Sequence, residues 1–383
     1  MIRKWLNKVK TTGMTHAAGV ALKVIRKWLK TGATMGMARA MAVSLKMRGR
    51  WLKAGAAIGV MCVMVAALLC LIFYNYASSP IDFQYREVTV EIPRGVSFAE
   101  TADILEEAGL IRHKWGFYLL ARVTDVSKHI QAGEYDLRSS MSPTSVLEKL
   151  VKGKVKGYQV FIPEGFTLRR IATRLENQGL ADQEVFVSLA SNSNLLSSLG
   201  IEGESAEGYL FPDTHTLNKS MGEEGIIRFM VRQFRRAVTP GMLERADKLG
   251  LTEDEVVTLA SIVEKEGGPQ EERSLVSAVF HNRLKRGMRL QSDPTVIYGI
   301  EDFDGNIRKS DLEKKTPYNT YRIKGLPPGP ICNPGLEAIE ATLYPAPVDF
   351  LYFVSMNNGS HHFSSNLKNH NEAVLKYQIK RKK

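Results

Sequence analysis

The chain has 383 residues, enough for two or three domains with a sizeable core, and its 44% apolar, 24% charged composition excludes disorder as the default. Its formal charge of +12 invites nucleic acid as a partner, but residues 1–53 hold thirteen Lys and Arg and no Asp or Glu, leaving 39 basic against 40 acidic residues after them. A nucleic-acid groove needs a basic surplus of its own, and the body of the chain has none, so no nucleic-acid partner is expected.

Residues 1–53 read as a basic cytoplasmic segment. IRKWL at Ile2–Leu6 recurs at Ile25–Leu29, and a looser copy begins at Gly49, so Trp5, Trp28 and Trp51 recur every 23 residues. Basic residues interleaved with Trp and Leu suit an anionic inner leaflet, with a disordered basic tail as the alternative. From Ala54 to Phe73 there are twenty residues without a charge, the length that crosses a hydrocarbon core of roughly 30 Å as a helix. A retained transmembrane helix over 54–76 is the expectation; a cleaved signal peptide needs a shorter apolar core and a clearer cleavage site than ASS at Ala77–Ser79. All thirteen basic residues precede the span, so the N-terminus is expected in the cytoplasm and the rest exported from a cytoplasmic (inner) membrane. Cys62 and Cys70 lie within the span and Cys332 stands alone beyond it, so the exported part must hold itself together by its core.

A second repeat follows. VEIPRGVSFAETADILEEAGL (Val90–Leu110) aligns with VFIPEGFTLRRIATRLENQGL (Val160–Leu180) at an offset of 70. Each copy predicts a strand, a turn at Pro-x-Gly, a capping Ser or Thr, and a helix closed by Gly. The pattern resembles the opening of LysM modules, which bind N-acetylglucosamine polymers; a strand-turn-helix unit used only for packing has the same pattern. Ala132–Gly153 repeats the habit, with Ser142 and Pro143 opening a helix. Residues 82–155 therefore read as a membrane-proximal LysM-like subdomain and 156–383 as a larger domain.

Beyond Gly203, Pro, Gly, Asn and Tyr crowd into long loops between helical runs, a composition that more often lines a site than merely connects elements. Thr252-Glu253-Asp254-Glu255 has the form of a capping box, so a helix begins there. Val256, Leu259, Ala260 and Val263 give it one buried face, and Gly267 and Gly268 stop it. At about 100° per residue Lys265 points away from that face while Glu264 and Glu266 lie on its two margins, so periodicity does not choose between them. Glu266 is nearer the negative end of the helix dipole, which raises a carboxyl's pKa, but that effect is worth only ~0.3–1 kcal/mol and burial has to supply the rest of any useful shift. His361, His362 and His370 match no strong zinc spacing, and no metal or cofactor is expected.

The pieces EGYLFPDT, ASIVEKEGG, ERSLVSAVFHNRLKRGMRLQSDPTVIYG, TPYNTYRIKGLPPGPICNPG and LYFVSMNNGSHHFSSNLKNHN, spanning Glu207 to Asn371, closely resemble the endolytic murein (peptidoglycan) lytic transglycosylases, YceG-like enzymes of bacterial walls. His215 departs from the pattern, which tends to carry an aromatic residue after FPDT. The resemblance implies a membrane-anchored lyase cutting the MurNAc-GlcNAc bond of nascent peptidoglycan, leaving 1,6-anhydro ends and terminating strand elongation. It implies one catalytic glutamate, Glu266 by position; Glu264 is the runner-up for that role, or else a supporting residue that orients the helix by pairing with a base such as Arg273. Gln291, Ser292, Asp293, Tyr318, Asn319 and Tyr321 are the candidates for lining the sugar cleft, each with a turn residue satisfying its own backbone as the alternative. Asp293 as a second catalytic carboxylate would make the product a reducing sugar, as in a muramidase. A catalytically silent wall-binding scaffold is the remaining alternative, and peptidoglycan synthases are candidate partners. The expected fold class is α+β: a single N-terminal transmembrane helix, a small LysM-like strand-helix subdomain and a larger mixed α/β catalytic domain.

Overall fold

The computed structural model describes residues 50–82, 85–301 and 303–379, so the first two copies of the 23-residue repeat lie outside the described residues. The chain divides into two units, Met1–Lys156 and Gly157–Lys383. The first opens with helix α1 (Arg50–Ser78), whose stretch Gly55–Ser78 is long and apolar enough to cross a membrane, with a mean hydropathy of 2.9 over its most apolar window and none of that window buried inside the protein, which fits a single-pass membrane anchor. Strand β1 (Glu87–Ile92), helices α2 (Phe98–Glu107) and α3 (Lys114–Thr124), strand β2 (Gly133–Arg138) and helix α4 (Pro143–Val151) follow. β1 and β2 pair antiparallel with Val90 opposite Tyr135, so this unit has a strand-helix-helix-strand order. Val90, Ile92, Leu105, Phe117, Tyr135 and Leu150 belong to its core, and Phe73 and Ala77 of α1 pack against that core.

The second unit opens the same way. Strand β3 (Tyr158–Phe161) leads to α5 (Leu168–Asn177), α6 (Gln183–Ala190) and α7 (Ser193–Leu199), and β4 (Thr214–Leu217) returns antiparallel to β3. The two repeat copies match position by position: Ser97 and Thr167 cap their helices, Gly95 and Gly165 hold φ of +80° and +73°. Ile92, Ala102, Leu105 and Leu110 are buried in one unit, and Ile162, Ala172, Leu175 and Leu180 in the other. The expected pattern thus comes from one rule applied twice: a left-handed turn only glycine enters cheaply, then a hydroxyl that satisfies the first free N–H groups of the helix.

The remainder is mainly helical: α8 (Gly222–Ala237), α9 (Pro240–Leu249), α10 (Glu253–Glu266), α11 (Arg273–Lys285), α12 (Asp293–Tyr298), α13 (Lys309–Glu313) and α14 (Leu336–Leu343), then the hairpin β5 (Tyr352–Ser355) with β6 (His361–Ser364), and α15 (Leu367–Val374). α10 starts on the capping box, with Thr252 bonded to Glu255 in both directions. Periodicity gave it one buried face, yet all eight residues Val256–Val263 are buried. The reason is that α10 serves two cores. Val256, Val257 and Ala260 join the cluster of Val160, Leu175 and Phe234, whereas Leu259, Ile262 and Val263 join that of Val276, Phe280 and Ile331. A helix enclosed on all sides is a rigid post, and its C-terminal glutamate is held accordingly.

Candidate active site

Glu266 is the last residue of α10, and Gly267 after it has φ +73° and ψ −164°, a backbone region that is essentially glycine's alone. Its carboxyl meets the loop that enters α12. Ser292 occupies the N-cap position of α12 but makes no capping bond; its hydroxyl donates instead to Glu266 Oε1 at 2.5 Å. A cap bond is worth about 1 kcal/mol, so its diversion to another side chain marks a place where geometry outranks helix stability. Ser292 is buried and locked in turn. Its N–H donates to Thr320 Oγ1 at 2.9 Å, its carbonyl accepts from Thr295 Oγ1 at 2.7 Å, and the two threonine hydroxyls meet at 2.8 Å.

Burial pushes the Glu266 carboxyl up to about 7; the Ser292 donor pulls it down, the Asp293 charge pushes it up and Arg283 pulls it down. Glu266 nonetheless keeps part of its side chain open to solvent, so it is desolvated without being sealed. Arg283, which sequence reasoning missed, is buried and braces the loop by donating from Nε to the Leu351 carbonyl at 2.7 Å and from Nη1 to the Leu290 carbonyl at 2.5 Å. Nothing in its sequence context sets it apart from the neighbouring basic residues.

The structure brings Ser292, Asp293 and Tyr321 together near Glu266, with Gln291 next to Ser292 in the chain. Gln291 is exposed, takes φ +51°, and bonds its N–H to the Thr320 carbonyl at 3.2 Å. Asp293 is exposed and accepts from the Tyr321 hydroxyl at 2.6 Å, which ties the LQSDPT and PYNTY loops to each other. Asn319 and Tyr318 point elsewhere. The Asn319 amide is buried and donates to the carbonyls of Asp311, Leu312 and Lys314 at 3.1, 3.2 and 2.6 Å, while its oxygen accepts from Tyr321 N at 2.9 Å. Its hydrogen bonds therefore shape its own loop and aim Tyr321. Tyr318 packs on Tyr298 at the far end of α12, ring centroids 4.8 Å apart.

Glu264 turns to the opposite side of α10. Its side chain is 8% exposed, 3.6 Å from Arg273 and bonded to the Gly335 N–H at 3.2 Å. Burial raises its pKa while Arg273 lowers it. Arg273 also meets Glu164 at 3.5 Å and pairs with Glu337, so α10, α11, α14 and the Pro-x-Gly turn of the second repeat converge on one guanidinium. His215 is buried with Nε2 2.7 Å from the Phe211 carbonyl and its ring edge-on to Phe229, filling an aromatic's place. His361 pairs with Glu272 at 2.8 Å, His362 tilts on Tyr377 and His370 stacks on Tyr352.

A second buried carboxyl was missed by sequence reasoning. Glu207 accepts the Leu168 N–H at 2.8 and 3.0 Å, the Asn333 amide at 2.7 Å and the Tyr298 hydroxyl at 3.3 Å. Burial pushes it up to about 8 against the pull of those donors. Asn333 in turn accepts from the Gly208 and Leu210 N–H groups, at 2.9 and 2.8 Å. This network joins the start of α5, the EGYLFPDT loop, the NPG turn and the end of α12. The EGYLFPDT motif flags the place, but only the fold shows which of its residues is enclosed.

The sequence matches the YceG-like family over residues 90–376. A Bacillus subtilis protein named endolytic murein transglycosylase is 32% identical over 306 residues, covering 76% of this chain and 84% of that protein. A Streptococcus pneumoniae protein of the same name is 34% identical over 331 residues, covering 78% of this chain but 60% of that longer protein. The crystal structure of a YceG-like protein from Listeria monocytogenes aligns with a TM-score of 0.52 at 32% identity, covering 76% of this chain and 100% of that one. With the match running through both repeats and every loop around Glu266, the chain belongs to the YceG-like family.

Proposed function

We propose that this protein is a membrane-anchored endolytic lytic transglycosylase of peptidoglycan, with Glu266 as its single catalytic acid and base. The observation that carries the reading is the Glu266 carboxyl, desolvated at the end of a rigid helix and bonded through one oxygen to a locked serine. Relatives named endolytic murein transglycosylase support the substrate class and the reaction type. Ser292 donates to Oε1, which leaves Oε2 as the oxygen to carry the proton. Oε2 gives it to the bridging glycosidic oxygen as the bond from C1 of the muramic acid to that oxygen breaks. The resulting carboxylate takes the proton of the C6 hydroxyl of the same sugar as that oxygen closes on C1. The 1,6-anhydro ring forms, no water is consumed, and Glu266 ends as it began. Because the nucleophile is tethered, the second carboxylate of ordinary glycoside hydrolases is not required.

Gln291, Asp293 and Tyr321 supply the polar groups and flat ring that suit sugar hydroxyls and faces. Tyr318 and Asn319 support the loops that carry them. The strand-helix-helix-strand order of the first unit favours a LysM-like, glycan-gripping role for residues 82–155. The basic residues before the span favour an N-terminus in the cytoplasm and the residues beyond Tyr76 outside, where nascent strands and their synthases are found.

The test is to incubate the full-length protein with purified peptidoglycan and identify the products by mass spectrometry. Anhydro ends from the parent and none from Glu266→Gln are expected. Reducing ends would identify a muramidase, intact glycan a silent scaffold, and a Glu266→Gln variant that cuts as well as the parent would remove the mechanism.

A further inference from the structure

The chain has four tryptophans, at positions 5, 28, 51 and 115, so Trp115 is the one that follows the apolar helix. It is 76% exposed, an unusual position for so large an apolar ring. Leu119, one helical turn further along α3, is 47% exposed on the same side. The opposite side of α3 is accounted for, with Phe117, Leu120 and Ala121 buried in the core of the first unit.

What lies beside this bare stripe is the exit of α1. The Tyr76 ring lies directly over Gly116, so close that a Cβ there would sit 2.6 Å from it, and the Tyr76 hydroxyl donates to the His113 carbonyl at 2.7 Å. Thr144 Oγ1 donates to the Ala77 carbonyl at 2.8 Å, and Arg112 reaches the Pro80 carbonyl at 3.0 Å. With Phe73 and Ala77 packed into the core as well, the last turns of α1 are part of the first unit rather than a tether to it. Leu71 and Ile72 remain exposed at 64% and 57%, which puts the edge of the hydrocarbon core near them. At 1.5 Å per residue Tyr76 stands about 6 Å further out, within the headgroup layer.

We infer that the first unit rests on the bilayer, with Trp115 and Leu119 of α3 inserted among the lipid headgroups beside the exit of α1. A tryptophan at this depth buries its ring and keeps its N–H wet, which is why the residue gathers at membrane interfaces. Arg112 and Arg122, both exposed on either side of the pair, suit lipid phosphates. The contact turns a single-helix anchor into a two-point one and fixes the tilt of the first unit over the membrane. It rests on the reading of α1 as a membrane span.

The experiment uses the full-length chain carrying Trp5→Phe, Trp28→Phe and Trp51→Phe, so that Trp115 is the sole indole, reconstituted in phosphatidylcholine and phosphatidylglycerol vesicles. Flotation reports the anchor; Trp115 emission, acrylamide access and quenching by lipids brominated high on the acyl chain report the contact. The expected result is a floating protein with blue-shifted emission, quenched by the brominated lipids and shielded from acrylamide. Adding Leu119→Asp should shift emission to the red and restore acrylamide access while flotation persists. A floating protein whose Trp115 emits as in water, or is shielded from acrylamide without bromolipid quenching as in a contact between copies, overturns the inference and leaves the anchor standing. A protein that does not float overturns both.

Discussion

At position 266 the proton is held by opposing neighbours, and their signs make the pH dependence a test of the site. Burial and the Asp293 charge favour the protonated carboxyl, and the Ser292 donor and Arg283 favour the ionised one, with a balance at about 7. A general acid works when protonated, so kcat/KM for anhydro-end formation should fall as pH rises through about 7. Ser292→Ala removes a donor to the charged form and should move that limb to higher pH, with lower activity from the loosened carboxyl. A limb that stays put would mean that Ser292 does not bond the working form of Glu266. Glu207 tests the other buried carboxyl through stability. Its folded pKa of about 8 lies above the ordinary 4.5, so its contribution is fully present below 4.5 and is lost as pH rises through about 8. One proton's linkage is at most ~1.4 kcal/mol per pH unit. Glu207→Gln can keep the Leu168 bond and point its amide at the Tyr298 hydroxyl, so thermal unfolding should depend less on pH across that window than in the parent. Of these side chains, Glu266 was legible through its motif. Glu207, Arg283 and the locking threonines were not, because each is defined by partners far along the chain.

Among the elements, α10 shows how a helix end is fixed. Its capping box and stop glycines are local and could be read directly, since a cap involves groups three residues apart. Its burial on all sides could not, because the second core that covers it comes from α11 and the loops after it. Gly267 carries the consequence: nothing crowds its α-carbon, yet its dihedral angles exclude other residues. Gly267→Ala should therefore cost roughly 1–3 kcal/mol from backbone strain alone. In a unit of this size that lowers Tm by roughly 2–4 °C per kcal/mol, measurable by calorimetry. The activity loss should exceed what the stability loss explains, since the strained residue adjoins Glu266. An Ala variant as stable as the parent would show that the turn relaxes. The strand-turn-helix repeats were legible to the residue, because hydroxyl caps and left-handed glycines act within one turn.

For the whole molecule, the charge asymmetry about the apolar helix sets the expected topology. Thirteen basic residues before it and near neutrality after it predict that protease added to intact spheroplasts digests residues beyond Tyr76 and spares a tag on the N-terminus. Digestion of the tag would reverse the assignment. The order of segments, the apolar span, the 70-residue repeat, the helix caps and the α+β character follow from the sequence alone, because periodicity, capping and hydropathy act over a few neighbouring residues. The proton affinity of Glu266, the different partners that it and Glu264 meet on α10, and the separate contacts of Tyr318, Asn319 and Tyr321 were decided only by tertiary structure. Glu266 and Ser292 are 26 positions apart, and Glu207 and Asn333 are 126 apart. Desolvation and hydrogen bonding at such separations depend on which surfaces meet, and that is settled only when the cores on either side of α10 close.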